Sequence, residues 1–279
     1  MADPRRGGGP VTDDGVEVPL AGARGVVSRR GGTVLRAAGP WSATVQALLR
    51  HLEEAGFEGA PRVAGSGFEP GSGRETLTFV EGGFVRLGQW SDEAAHALGR
   101  LLRDLHTATA TFAEPGDATW QPWHGRDLGR RPRVIGHCDT GPWNVVVRGG
   151  LPVAFIDWEV AGPVDPLVEV AQLCWLNSHL HDDEVAALAG LRPLAERLHV
   201  LRLMIEGYGL ADRDRADLVE HMILVAVQDA AALAPVTVAP QTGGDPGPSR
   251  SLVHGMAWRL RSAAWMQRHR DVLERAVRT

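Results

Sequence analysis

The chain has 279 residues and no lysine; all 29 of its Lys/Arg positions are arginine. No side-chain amine is available for a Schiff base. Any role that a lysine usually fills must pass to a permanently charged, forked guanidinium. Cysteine is almost as scarce. Cys138 and Cys174 are too few for a disulfide framework or a four-thiolate zinc site. No apolar run comes near the ~20 residues of a spanning helix. The first 15 residues, MADPRRGGGPVTDDG, lack the apolar segment of a secretory signal and read as a frayed tail. The net charge of −5 is too mild to argue for nucleic acid. These absences leave a cytoplasmic globular protein, with neither a membrane nor a nucleic acid expected as partner, and with enough chain to bury a proper core. Nothing in the sequence sets the oligomeric state.

What is present is unevenly spread. Residues 159–245 carry 14 acids against 5 arginines, and residues 246–279 carry 2 acids against 7 arginines. An acidic block beside a basic tail invites the expectation that the block steers a cationic small molecule. Residues 16–39 read as short strands, with a Gly31–Gly32 hairpin turn between β-branched runs. Val45, Leu48, Leu49 and Leu52 keep helical spacing after Ser42, which the pattern makes the N-cap. Arg62–Val63 and Glu75–Val80 read as further strands. The composition changes at Gly82–Gly83. Ser91-Asp92-Glu93 then starts a helix with an apolar stripe at Leu98, Leu101, Leu102 and Leu105. Helices are expected over 166–179, 182–206, 212–233 and 251–277, with a Pro/Gly-rich loop at 235–249. The division is a tail at 1–15, a small α/β lobe at 16–82 and a larger helical lobe at 83–279.

The chemistry sits in VIGHCDTGPWNVVVRGGLPVAFIDWE. His137, Asp139 and Asn144 form H-x-D-x-x-x-x-N, the catalytic-loop spacing of phosphoryl-transfer enzymes. A carboxylate can orient an attacking hydroxyl and accept its proton, and an amide oxygen five residues on can ligate Mg²⁺. Gly149–Gly150 closes a hairpin that pairs Arg148 with Leu151. Kept in register, that hairpin sets Asn144 opposite Phe155 and Asp157 opposite Pro142, so two oxygen ligands converge at one open end beside Asp139. His137 is the structural member of the motif, since carboxylates do this chemistry. Asp165 before Pro166 reads as a helix N-cap, His106 as a satisfied core histidine and Cys138 as a buried, inert thiol.

These segments resemble the aminoglycoside phosphotransferase and choline-kinase-like family of small-molecule kinases. HCDTGPWN, FIDWE and GPVDPLVEVA match its three hallmark segments, Asp157-Trp158-Glu159 takes the place of the kinase D-F-G, and Leu105-His106 matches the L-H before the catalytic loop. The resemblance implies an α+β, two-lobed protein-kinase-like fold, with a small antiparallel lobe holding one helix and a mostly helical second lobe. It implies Asp139 as catalytic carboxylate and Asn144 and Asp157 as Mg²⁺ ligands, with His137, Glu159 and Asp165 in support. Arg36 would face the phosphates of ATP or GTP, Gly22 and Gly25 would lie in the loop over the nucleotide, and Val80 and Glu81 would meet its base. Departures from the family pattern are Cys138 for Gly, Glu169 for Asp, and no acid early in the first helix. The function implied is transfer of the γ-phosphate to a hydroxyl of a small molecule, aminoglycoside-like or otherwise cationic. The alternative is a catalytically idle nucleotide-binding protein of the same fold.

Overall fold

A computed structural model of the chain describes residues 15–20, 27–85, 89–238 and 250–278. Gly22, Gly25, nearly all of the expected tail and most of the 235–249 loop lie outside the described residues. The first half builds one antiparallel sheet from β1 (Glu17–Leu20), β2 (Val27–Arg30), β3 (Thr33–Arg36), β4 (Val63–Phe68) and β5 (Glu75–Thr78), in the order β1-β2-β3-β5-β4. Arg30 pairs with Thr33, so Gly31–Gly32 is the two-residue turn that its composition foretold. Helix α1 (Ser42–Glu54) crosses between β3 and β4 and buries Val45, Leu48, Leu49 and Leu52. Full burial of each such side chain contributes about 1.5–3 kcal/mol. Ser42 is not its N-cap. Trp41 holds that position, already in the helical region, and the Ser42 hydroxyl accepts from the Gly39 N–H at 2.8 Å.

Helix α2 (Asp92–Thr109) starts at a true cap, Ser91 Oγ accepting from the Ala94 N–H. The segment holding His137, Asp139 and Asn144 follows on short strands: β6 (Val134–Gly136) pairs with β9 (Gly162–Val164), and β7 (Val145–Arg148) with β8 (Leu151–Phe155). Helix α3 (Pro166–Asn177) is buried from Leu167 onward and is apolar around its circumference apart from Glu169, Gln172 and Asn177, as a central helix must be. The expected 182–206 helix is two helices, α4 (Asp183–Leu188) and α5 (Leu194–Tyr208), because Gly190 and Pro193 break it. Helix α6 (Asp212–Val238) outlasts its expected end, and the last helix divides at His269 into α7 (Arg250–Arg268) and α8 (Arg270–Arg278). α2 packs along α5, and α6 along α7.

Two contacts tie the first-half residues to the β7–β8 hairpin. Gly83 and Val147 exchange backbone hydrogen bonds at 2.9 and 2.8 Å, and the Phe155 N–H donates to Gly59 O at 3.0 Å. Gly82 permits the first: a Cβ there would lie 2.5 Å from Val146 Cγ1 and 2.6 Å from Val147 O. The charge asymmetry is also resolved. Arg259 pairs with Asp229 at 2.6 Å, Arg261 with Asp182 and Glu184 at 2.5 and 2.6 Å, and Arg270 with Glu220. The basic tail thus meets several charges of the acidic block, and less of that block faces a ligand than its net charge implies. No described helix is long and apolar enough to cross a membrane.

Candidate active site

The loop from His137 to Asn144 is held by side chains beneath it. His137 is fully buried with both ring nitrogens engaged by backbone: Nδ1 accepts from the Asp139 N–H at 3.2 Å and Nε2 donates to Ile156 O at 2.8 Å. Burial lowers its pKa, so the ring is neutral, as that pairing requires. Its face meets Trp158 at 4.7 Å, edge to face. Next along, Cys138 adopts a left-handed backbone, φ 64°, and its N–H donates to Glu169 Oε1 at 2.6 Å. Thr140 donates from both N–H and hydroxyl to Gln172 Oε1, and its carbonyl accepts from Asn177 Nδ2 at 2.9 Å. One helix, α3, therefore clamps the loop on both sides of Asp139.

Asp139 itself is half-buried. Burial first, and then the nearby Asp157 charge, raise its carboxyl pKa to about 6, against donors from Trp143 and Asn144 that favour the charged form. Asn144 Nδ2 donates to Asp139 O at 3.0 Å, leaving Oδ1 as its acceptor atom. The hairpin register differs from the expectation. Arg148 pairs with Leu151 and Val147 with Pro152, but Val146 pairs with Ala154 and Val145 with Phe155, so one extra residue, Val153, bulges from β8. Asn144 then faces Ile156, whose N–H donates to Asn144 O at 2.9 Å, and Asp157 stands one residue beyond. The bulge brings Asp157 closer to Asn144 than a regular hairpin would.

Asp157 also has a left-handed backbone, φ 65°. Its carboxylate accepts from Arg36 NH1 at 2.8 Å, and Glu159 lies 3.6 Å from Arg36 NH2. The segment after Asp157 is fixed by Arg126, whose guanidinium donates to the carbonyls of Val160, Ala161 and Pro163. Among the described residues no group of three or more His, Cys, Asp or Glu side chains could hold a metal ion. The donor set here is one amide oxygen and one carboxylate. That suits Mg²⁺, which is held by one or two protein oxygens together with phosphates and waters.

The segment that carries this geometry matches the model of the phosphotransferase enzyme family over residues 117–203. Over 256 residues the chain is also 51% identical to the trifolitoxin immunity protein of Rhizobium leguminosarum bv. trifolii, covering 92% of this chain and 96% of that one. The chain belongs to the phosphotransferase enzyme family. Its fold is that of the kinase-like proteins. An amicoumacin kinase solved with AMP-PNP and Ca²⁺ superposes with a TM-score of 0.66 at 13% identity, over 89% of this chain and 88% of that one. A choline/ethanolamine kinase family protein from Mesorhizobium loti gives 0.60 at 18% identity, over 95% and 92%.

In this phosphotransferase-family chain other expected residues fall in distinct places. Asp165 is buried and caps α3, with Oδ1 accepting from the Leu167 N–H and Oδ2 from the N–H groups of Arg130 and Arg131, all at 2.9 Å. Glu81 accepts from Arg29 NH2 through its carboxylate, at 2.7 Å, and from Arg148 NH2 through its carbonyl, at 2.9 Å. Val80 lines a cavity of about 730 Å³ between the 55–59 loop, α2 and β8; Asp139, Asn144 and Asp157 are not part of its wall. His106 is the satisfied core histidine expected, bonded to Glu169 Oε2 at 2.7 Å and the Tyr208 hydroxyl at 2.8 Å. The sequence reading missed Glu75, Gln172 and Asn177. The last two had a signal, being polar side chains in an otherwise apolar run.

Both cysteines are fully buried, and burial pushes the Cys174 thiol up to about 12 and Cys138 well above its ordinary value. Only the thiolate reacts. A disulfide reagent at pH 8 is expected to titrate no thiol in the native protein and both after unfolding in guanidinium. One fast-reacting native thiol would remove this reading.

Proposed function

We propose that this protein is a kinase that moves the γ-phosphate of ATP or GTP to a hydroxyl of a small molecule. The observation that supports it best is the convergence of Asp139, Asn144 and Asp157 at one end of the bulged hairpin, with Arg36 reaching Asp157 from the sheet. Residues 16–82 serve the nucleotide and residues 83–279 carry the catalytic loop and the acceptor. Asp139 orients the acceptor hydroxyl and takes its proton as the hydroxyl oxygen bonds to the γ-phosphorus and the bond to the β-phosphate oxygen breaks. Asn144 and Asp157 would hold Mg²⁺, which when bound neutralises phosphate charge. His137 and Glu169 keep the backbone on either side of Cys138 fixed, which holds Asp139 in place.

The relative's role as an immunity protein is compatible with a toxin as the acceptor, inactivated by phosphorylation. Support for a cationic acceptor is narrower than composition alone implies, because tail arginines pair with Asp182, Glu184, Glu220 and Asp229. The test is a nucleotide-consumption screen over hydroxyl-bearing metabolites, antibiotics and toxins, with mass spectrometry of the products. A product heavier by one phosphoryl group is the expected result. Tight Mg²⁺-nucleotide binding with no acceptor phosphorylated would favour the idle nucleotide-binding alternative.

A further inference from the structure

The first helix offers no acid to the basic residue of β3. Its first turn carries none, and its buried polar side chain on the sheet side, Gln46, donates to Gly67 O at 2.7 Å. Glu53 lies near the far end of α1, 3.8 Å from Arg62. Arg36 is nonetheless firmly held. Its cross-strand partner on β5 is Glu75, which is 2% exposed, and Arg36 Nε donates to Glu75 Oε2 at 2.8 Å. A buried carboxylate needs such a partner. The bond uses the guanidinium's Nε, so NH1 and NH2 project forward to Asp157 and Glu159.

We propose that Glu75 is the positioning residue of the nucleotide site: it fixes Arg36 from behind so that the two terminal nitrogens present a preset fork to the phosphates. This rests on the kinase reading above. The clamp is then built within the sheet, across the β3–β5 pair, and does not depend on where α1 sits. It also gives the arginine a reason. A lysine would serve carboxylate and phosphate from one ammonium nitrogen, whereas arginine separates the two tasks between Nε and its terminal nitrogens. With nucleotide and metal bound, Asp157 would hold the cation and the fork of Arg36 would face phosphate oxygens, with the Nε–Glu75 bond retained.

The test compares Kd for Mg²⁺·AMP-PNP and for adenosine, which has no phosphates, by calorimetry on the full chain. Glu75→Gln keeps the shape and removes the charge. It is expected to weaken AMP-PNP by roughly tenfold or more, the scale of one charge-assisted hydrogen bond, and to leave adenosine unchanged. Arg36→Met should show the same phosphate-selective loss, and Glu75→Gln added to it should change little. If Glu75→Gln fails to fold, judged by circular dichroism, Glu75→Asp draws the charge back by one methylene and should give the same selective weakening. Equal weakening of both ligands, unchanged AMP-PNP binding, or additive effects with Arg36→Met would overturn the role of Glu75 alone. A wild-type protein that binds no nucleotide would overturn it together with the kinase reading.

Discussion

Asp139→Asn should cut kcat by roughly 10²–10⁴, the usual contribution of a positioned general base, and leave Mg²⁺·AMP-PNP affinity within about twofold. The asymmetry follows from where Asp139 sits. It hangs from a loop clamped by α3, five residues before Asn144, and it makes no bond to Arg36. Its carboxyl is held near 6 by burial and by Asp157, so at pH 7 to 8 the charged form dominates. Stability should move the other way. Removing a half-buried charge beside another carboxylate relieves that repulsion, so the variant should be more stable at pH 7, by up to about 3 kcal/mol on the scale of 1.4 kcal/mol per pK unit. A slower but more stable enzyme cannot be put down to misfolding. The assay uses the acceptor found by the screen, single-turnover rates and urea titration. A variant that matches the wild-type rate would show that Asp139 is not the proton-accepting carboxylate.

How much of this was legible beforehand follows from the range of the interactions. The Gly31–Gly32 and Gly149–Gly150 turns, the Ser91 cap, the Asp165 cap and the α1 stripe are local, and each lies where its few residues require. That an antiparallel sheet with one helix precedes a mostly helical region could be read from the change in pattern along the chain. The register of the β7–β8 hairpin could not. The bulge at Val153 follows Pro152, and a proline in a strand marks an edge or a bulge without saying which; the register answers to packing, since Phe155 is fully buried and its N–H reaches Gly59 O across to the other lobe. Glu75 was invisible for a similar reason. Its meaning depends on β3 and β5 being neighbours although α1 and β4 lie between them in the chain, and pairings of that range are set by tertiary structure. The partners of the acidic block could not be counted by segment, because the tail arginines that meet Asp182, Glu184, Glu220 and Asp229 arrive through α7 and α8.

Acid should unfold this protein early, and the cause lies away from the candidate active site. His179 and His181 follow α3 and are buried with their rings 5.7 Å apart, and His181 packs on α7, its ring 5.0 Å from Trp258 and its Nδ1 3.1 Å from Ser262 Oγ. Arg197, also buried, donates to the carbonyls of both. Burial first, and the neighbouring cations second, lower the pKa to about 4 for His179 and about 3 for His181. Folded-state values below the unfolded 6.5 mean that the unfolded chain binds more protons as pH falls. Stability is therefore full above about 6.5 and declines below it by up to about 1.4 kcal/mol per pH unit for each histidine. From pH 6.5 to 4.5 the pair removes about 5 kcal/mol, and His137, lowered by burial, acts in the same direction. Asp139 opposes them. Its raised folded value means that the native state takes up a proton below about 6, which returns about 2 kcal/mol over that window. A net loss of at least about 3 kcal/mol is a large part of the stability of an ordinary domain. Urea unfolding at pH 7.5, 6.0 and 4.5 should show it as a falling midpoint at constant slope. His181→Gln should flatten the dependence by roughly 1 kcal/mol per pH unit. A midpoint that does not change between pH 7.5 and 4.5 would mean that these histidines can charge inside the fold.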